Sequence, residues 1–166
     1  FSGMCALIEK EKIVLKGKKV LILGSGGTSK TAAAVAEYME CGSVYRISRD
    51  GKEGCLTYET AASLHSDAEV IINTTPVGMY PNTGVSAAYP GAFWKLEYVF
   101  DVVYNPLRTN FLCQARKSGM EGFGGLKMLV GQAKASAQLF LGYEIPDEAA
   151  EQIEKKLAAE KENIVL

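Results

Sequence analysis

Imidazole is almost missing from this sequence: His65 is the one histidine among 166 residues. The four cysteines, Cys5, Cys41, Cys55 and Cys113, are scattered, and none forms a C-x-x-C pair. A zinc centre therefore lacks its donor set, and a disulfide framework lacks its spacing. Unpaired cysteines with no secretory leader predict a reducing, cytoplasmic setting. Nor is there an excess of either charge: 18 Lys and Arg stand against 19 Asp and Glu, a net charge of −1. That balance supplies no basic footprint for nucleic acid and no basic helix for a membrane surface, so neither partner is expected. Long apolar runs are missing as well. Val20 to Leu23 and Val70 to Ile72 fall far short of the roughly 20 residues that a spanning helix needs.

What is present suffices for one packed domain. Hydrophobic residues make up 48% and charged residues 22% of the chain, which excludes disorder for its bulk. Short runs of branched apolar residues alternate with stretches of helical period, and this rhythm predicts an α/β fold: a doubly wound, Rossmann-type parallel sheet with helices on both faces. Strands are predicted at Lys19 to Leu23, Val44 to Ser48, Cys55 to Thr57, Val70 to Thr75, Tyr98 to Tyr104 and Met120 to Phe123. Helices are predicted from Thr28 to about Cys41, at Tyr58 to Ser66, at Thr109 to Ser118 with a start near Pro106, and at Leu126 to Leu141 with a stop at Gly142. Segment 1–12 reads as a further helix with Met4, Leu7 and Ile8 on one face, and Asp147 as the cap of a charged last helix. An irregular loop spans Pro76 to Gly91. Met79, Met128 and Trp94 read as packing residues, and His65 as an exposed helix residue.

The strongest local signal is the strand that runs into Gly24-Ser25-Gly26-Gly27-Thr28 and then a helix. This is a dinucleotide-binding turn in its proper context. Gly24 permits the tight turn, and Gly26 leaves the path to the helix N-terminus clear, where free amides and the macrodipole favour a diphosphate. Ser29 takes the third position of the G-x-G-x-x-G spacing, small enough for helix and strand to pack closely. The bland alternative is a glycine-rich turn that binds nothing.

The second strand ends at Ser48-Arg49-Asp50-Gly51-Lys52. An NAD site normally presents a carboxylate there, whereas NADP needs a cation for its 2′-phosphate. Arg49, with Lys52 nearby, can make charge-assisted bonds to phosphate, and Asp50 competes with them. The reading favours NADP(H), with NAD(H) as the alternative that Asp50 supports. Arg49 and Asp50 as solvated turn residues are the third possibility.

With these features the sequence resembles the NADP-binding domain of the shikimate dehydrogenases along nearly its whole length. The family's glycine turn is matched at Gly24 to Thr28, and its Asn-Arg-Thr cofactor motif at Ser48-Arg49-Asp50, where the first and third positions differ. Asn73-Thr74-Thr75-Pro76-Val77-Gly78-Met79 is similar to the family's Asn-Ala-Thr-Pro-x-Gly-Met loop beside the nicotinamide. Asp101 to Thr109 is similar to its Asp-x-x-Tyr-x-Pro-x-x-Thr segment, and Gly125 to Gln132 to its Gly-x-x-Met-Leu-x-x-Gln helix start. The resemblance implies that Val102, Gly125 and Met128 lie at the cofactor, and that Tyr104 and Gln132 touch the substrate.

The resemblance also implies an N-terminal substrate domain, carrying the catalytic Lys and Asp, that this sequence does not contain; Phe1-Ser2-Gly3 looks like the residues that follow that domain's Asn-Thr-Asp motif. Residues 1–14 would then be a connecting helix, 15–142 the NADP-binding domain and 143–166 a C-terminal helix. The implied reaction is NADPH-dependent, reversible reduction of 3-dehydroshikimate to shikimate, in chorismate and aromatic amino-acid biosynthesis, with this chain alone inactive. A quinate/shikimate dehydrogenase using NAD and a non-catalytic nucleotide-binding module remain as the other readings. No metal site is expected.

Overall fold

The computed structural model describes residues 1–52 and 54–163, and of the segment 143–166 the last three residues lie outside the described ones. Five parallel strands form one sheet: β1 (Lys19–Leu23), β2 (Ser43–Ile47), β3 (Val70–Asn73), β4 (Tyr98–Asp101) and β5 (Glu121–Gly124), in the order β2-β1-β3-β4-β5. Among the described residues six α-helices accompany them: α1 (Ser2–Lys10), α2 (Gly27–Tyr38), α3 (Tyr58–Leu64), α4 (Asn110–Lys117), α5 (Leu126–Leu141) and α6 (Asp147–Asn163).

The strands read as unbroken apolar runs because both of their faces are covered. With a side-chain period of two, Val20, Ile22, Val70 and Ile72 pack against Met4, Leu7 and Ile8 of α1 and Ala32, Val35 and Ala36 of α2. Leu21, Leu23, Ile71 and Val99 turn the other way, against Ala61 of α3 and Phe111, Leu112 and Ala115 of α4. The expected doubly wound fold is thus the observed one. Burial of each Val, Leu or Ile contributes about 1.5–3 kcal/mol, which makes the central strands β1 and β3 its most firmly held part.

Several local expectations change. The strand foreseen at Cys55 to Thr57 shrinks to a single bridge between Ile47 and Leu56. Leu56 N donates to the Arg46 carbonyl at 2.8 Å, and Ser48 N donates to the Leu56 carbonyl at 2.9 Å. One residue later Thr57 accepts from Thr60 N and starts α3, so no longer ladder forms. Strand β4 stops at Asp101 instead of Tyr104, because the Asp101 carboxylate takes the Val103 amide at 3.1 Å. The helix expected over Thr109 to Ser118 is α4, with Thr109 as its cap, Oγ1 accepting from Leu112 N at 3.3 Å, and Pro106 starts no helix. Asp147 is the first residue of α6 rather than a cap before it, and pairs with Lys134.

Three side chains also differ from expectation. His65 is half-buried, its ring stacked on Tyr45 of the edge strand β2 at 3.9 Å between centroids. Trp94 is 72% exposed, because Phe93 and Leu96 take the inward positions of their loop, and Met79 is 42% exposed. Of the three residues expected to pack, Met128 alone lies against the core.

At the far edge of the sheet Glu121 N and Gly125 N donate toward β4, to the carbonyls of Glu97 and Val103. The alternation leaves Gly122 facing outward, and Arg116 Nη2 donates to its carbonyl at 3.0 Å. Among the described residues no helix is long and apolar enough to cross a membrane, and no cluster of three or more His, Cys, Asp or Glu side chains is placed to hold a metal ion.

Candidate functional site

From β1 the chain winds to β2 on one side and later returns to β3 on the other, so a crevice opens beyond the C-terminal ends of β1 and β3. The glycine turn stands at its mouth. Gly24 has φ +118°, a conformation that L side chains rarely adopt, and its amide donates to the Ile47 carbonyl at 2.7 Å. Ser25, Gly26, Gly27 and Thr28 are exposed, and a β-carbon at Gly26 or Gly27 would meet nothing within 4 Å. The N-terminus of α2 is therefore an open cradle with its first amides pointing at solvent, the geometry a diphosphate needs. Ser29 is fully buried, as a small residue wedged between helix and sheet must be.

Beyond β2, Ser48 is buried and its Oγ donates to Asp50 Oδ1 at 3.2 Å. Lys52 Nζ pairs with Asp50 Oδ2 at 3.1 Å. Hydrogen bonding from Lys52 holds the Asp50 carboxyl below the usual carboxylate range. Arg49 is exposed beside them. One of the two cations foreseen for a 2′-phosphate is thus already engaged by a carboxylate.

Beyond β3 and β4 the polar residues are buried instead. Asn73, Asp101 and Thr109 are at most 1% exposed. Asn73 Nδ2 donates to Asp101 Oδ1 at 2.9 Å, and Thr109 Oγ1 donates to Asp101 Oδ2 at 2.6 Å. Asn73 Oδ1 accepts from Thr75 N at 3.0 Å and from Thr75 Oγ1 at 2.6 Å. Burial pushes the Asp101 carboxyl above its ordinary range, opposed by its bonds from Thr109, Val103 and Asn73. Thr74 Oγ1 donates to the Leu23 carbonyl at 2.6 Å and joins this loop to the end of β1, while Pro76 is exposed.

A cleft of about 190 Å³ lies between α1, α2 and α5, lined by Phe1, Gly3, Met4, Thr28, Thr31, Met128 and Gln132. It brings Thr28, Met128 and Gln132 together. Val102 and Gly125 are also brought together: a β-carbon on Gly125 would run into the Val102 carbonyl, so only glycine allows this approach. Tyr104 and Gly125, however, line a different cavity of about 410 Å³ with Leu7, Glu11, Lys127 and Glu154. Tyr104 and Gln132 thus line two different cavities among the described residues. Sequence reasoning missed Phe1, Gly3, Met4 and Thr31 as cleft residues. It also gave no role to Asp101 and Thr109, although a lone carboxylate closing an apolar strand was a readable sign.

Fold and crevice together define an α/β domain of the Rossmann type, built to receive a ligand at the C-terminal edge of its sheet. No protein-family model matches the chain. It is 30% identical over 166 residues to a shikimate dehydrogenase (NADP(+)) of Clostridium perfringens strain 13, covering 95% of this chain and 61% of that one. Its fold overlies a chorismate mutase/shikimate 5-dehydrogenase fusion protein from Clostridium acetobutylicum with a TM-score of 0.90 at 29% identity, over 97% of this chain and 60% of the other. It overlies shikimate 5-dehydrogenase from Thermus thermophilus, solved with NADP(H) and shikimate, with a TM-score of 0.76 at 26% identity, over 93% and 60% of the two chains. In sequence and in fold the chain is thus similar to shikimate dehydrogenases over nearly its whole length. It spans about 60% of the length of these relatives.

Proposed function

We propose that this chain is the NADP(H)-binding domain of a cytoplasmic shikimate dehydrogenase. Residues 15–142 form that domain in this reading, with 1–14 as a connecting helix and 143–166 as a flanking one. The observation that carries it is the open cradle at the start of α2, where Gly26 and Gly27 leave free the space that any side chain would occupy. Ser25 to Thr28 would hold the diphosphate, Arg49 the 2′-phosphate, and Val102, Gly125 and Met128 the nicotinamide end. The cofactor supplies hydride chemistry when bound, and the protein's part is to bind and orient it. Tyr104 and Gln132 would turn toward shikimate or 3-dehydroshikimate on a substrate domain that carries the Lys and Asp for proton transfer. NAD(H) is the second reading, favoured by the carboxylate of Asp50 beside Ser48.

Calorimetric titration of the chain with NADP and NAD tests the cofactor: tighter binding of NADP supports the reading, and equal affinities move it to NAD. Absorbance of NADPH, followed during shikimate oxidation, tests the division of labour. Holding reactants in attack geometry is worth roughly 7–11 kcal/mol, and a positioned proton-transfer group about 10²–10⁴-fold. The chain alone should show no turnover, and the chain joined to a shikimate-binding domain should restore it. Robust turnover by the chain alone would place an acid or base within these residues.

A further inference from the structure

Asp101 ends β4 with a carboxylate that no solvent reaches, and its bonds from Asn73, Val103 and Thr109 all come from neutral donors. Those donors belong to three separate segments. Asn73 closes the adjacent strand β3 and lies directly across from Asp101 in the parallel register. Val103 begins the loop that leads to Tyr104. Thr109 caps α4.

The polarity of this network leaves little freedom. Asn73 Oδ1 is taken by the amide and hydroxyl of Thr75, so its Nδ2 must face Asp101. Thr75 Oγ1 in turn accepts from Val77 N at 3.3 Å. Thr109 Oγ1 accepts from Leu112 N and donates to Asp101 Oδ2. Each of these three groups around position 101 donates, and a carboxylate, with an accepting oxygen on either side, receives all of them. An asparagine there would replace one of the two accepting oxygens with an NH₂ and so lose at least one of these bonds as they stand.

We infer that Asp101 is a positioning residue: it locks the segments 73–77 and 101–105 into one floor beneath the nicotinamide half of the dinucleotide, without touching the ligand. The sheet order supports this placement, since the adenosine end belongs at Ser48 to Lys52 beyond β2, and a ligand crossing the switch point between β1 and β3 extends over β3 and β4. The inference rests on the NADP reading above.

Binding of NADPH and of 2′,5′-ADP, which carries the adenosine and 2′-phosphate but no nicotinamide, separates the roles. Asp101→Asn should weaken NADPH about tenfold or more and leave 2′,5′-ADP within about twofold, with an unchanged circular dichroism spectrum. A merely structural part would weaken both ligands alike, and that result, or no change in either, overturns the inference. If Asp101→Asn does not fold, Thr109→Val, which removes the hydroxyl, and Thr109→Ser, which keeps it, carry the same comparison: only the valine variant should lose NADPH selectively. Wild-type protein that binds neither ligand would overturn the dinucleotide reading and this inference with it, whereas binding of both by wild type with no selective loss in the variants overturns the inference alone.

Discussion

Thr74 closes the glycine turn from behind: its Oγ1 lies 2.6 Å from the point where a β-carbon on Gly24 would stand. The same oxygen donates to the Leu23 carbonyl at 2.6 Å, so it has no room to give way. Gly24→Ala should therefore cost about 1–3 kcal/mol, from the left-handed backbone and the collision together. Removing the obstacle in Gly24→Ala/Thr74→Ala should recover part of that loss and never all of it, since φ remains positive. Urea unfolding midpoints at constant slope measure both values.

Gly26 is the opposite case. Its φ of −74° suits any residue, and open space surrounds it. Gly26→Val should keep the fold, with a stability change of about 1 kcal/mol or less, and abolish NADP binding because the side chain fills the diphosphate path. Thermal unfolding and calorimetry together check this, and unchanged binding would remove the turn from the site.

At the end of β2 the ion pair between Lys52 and Asp50 must be broken or shared before Lys52 can help a 2′-phosphate. Asp50→Ala should raise NADP affinity by about threefold to tenfold and lower that for NAD, while Arg49→Ala should weaken NADP about tenfold and leave NAD unaltered. Affinities that do not depend on either residue would make both of them solvated turn residues.

The buried carboxylate of Asp101 predicts a pH signature. Its value is raised by burial in the folded chain, so ionisation is disfavoured there relative to the unfolded chain. The associated stability is present below the ordinary carboxylate range and is lost as pH rises through the raised folded value. Relative to Asp101→Asn, wild type should lose stability across that interval and then level off. Urea titrations of both proteins over acid to neutral pH read the difference directly, and a relative gain for wild type would reverse the sign assigned to burial.

Much of this was legible in the sequence because local rules and tertiary packing agreed. Lys19 to Leu23 is a short apolar run bounded by turn residues, so its strand could be read to the residue, whereas the strand expected over Val70 to Thr75 ends two residues earlier, at Asn73. The end of β4 was misplaced because the Asp101 side chain takes a backbone amide, and such side-chain bonds overrule periodicity. Trp94 was misread because an irregular loop has no period to say which residue faces inward. The cradle at Gly24 to Thr28 was visible as spacing, whereas the lining by Phe1, Gly3 and Met4 depends on α1 crossing α5, a long-range contact that no local pattern encodes.

The sheet's two outer strands have fittings with a separate effect. On one side the strip at Leu56 occupies the backbone of β2, and on the other Arg116 holds the outward carbonyl of Gly122 on β5. Unoccupied rims of this kind act as templates on which strands of neighbouring molecules add, the first step toward cross-molecular sheets. Here an incoming strand must evict an internal partner on either flank before it can pair, so growth from one molecule to the next is opposed at both ends of the same sheet.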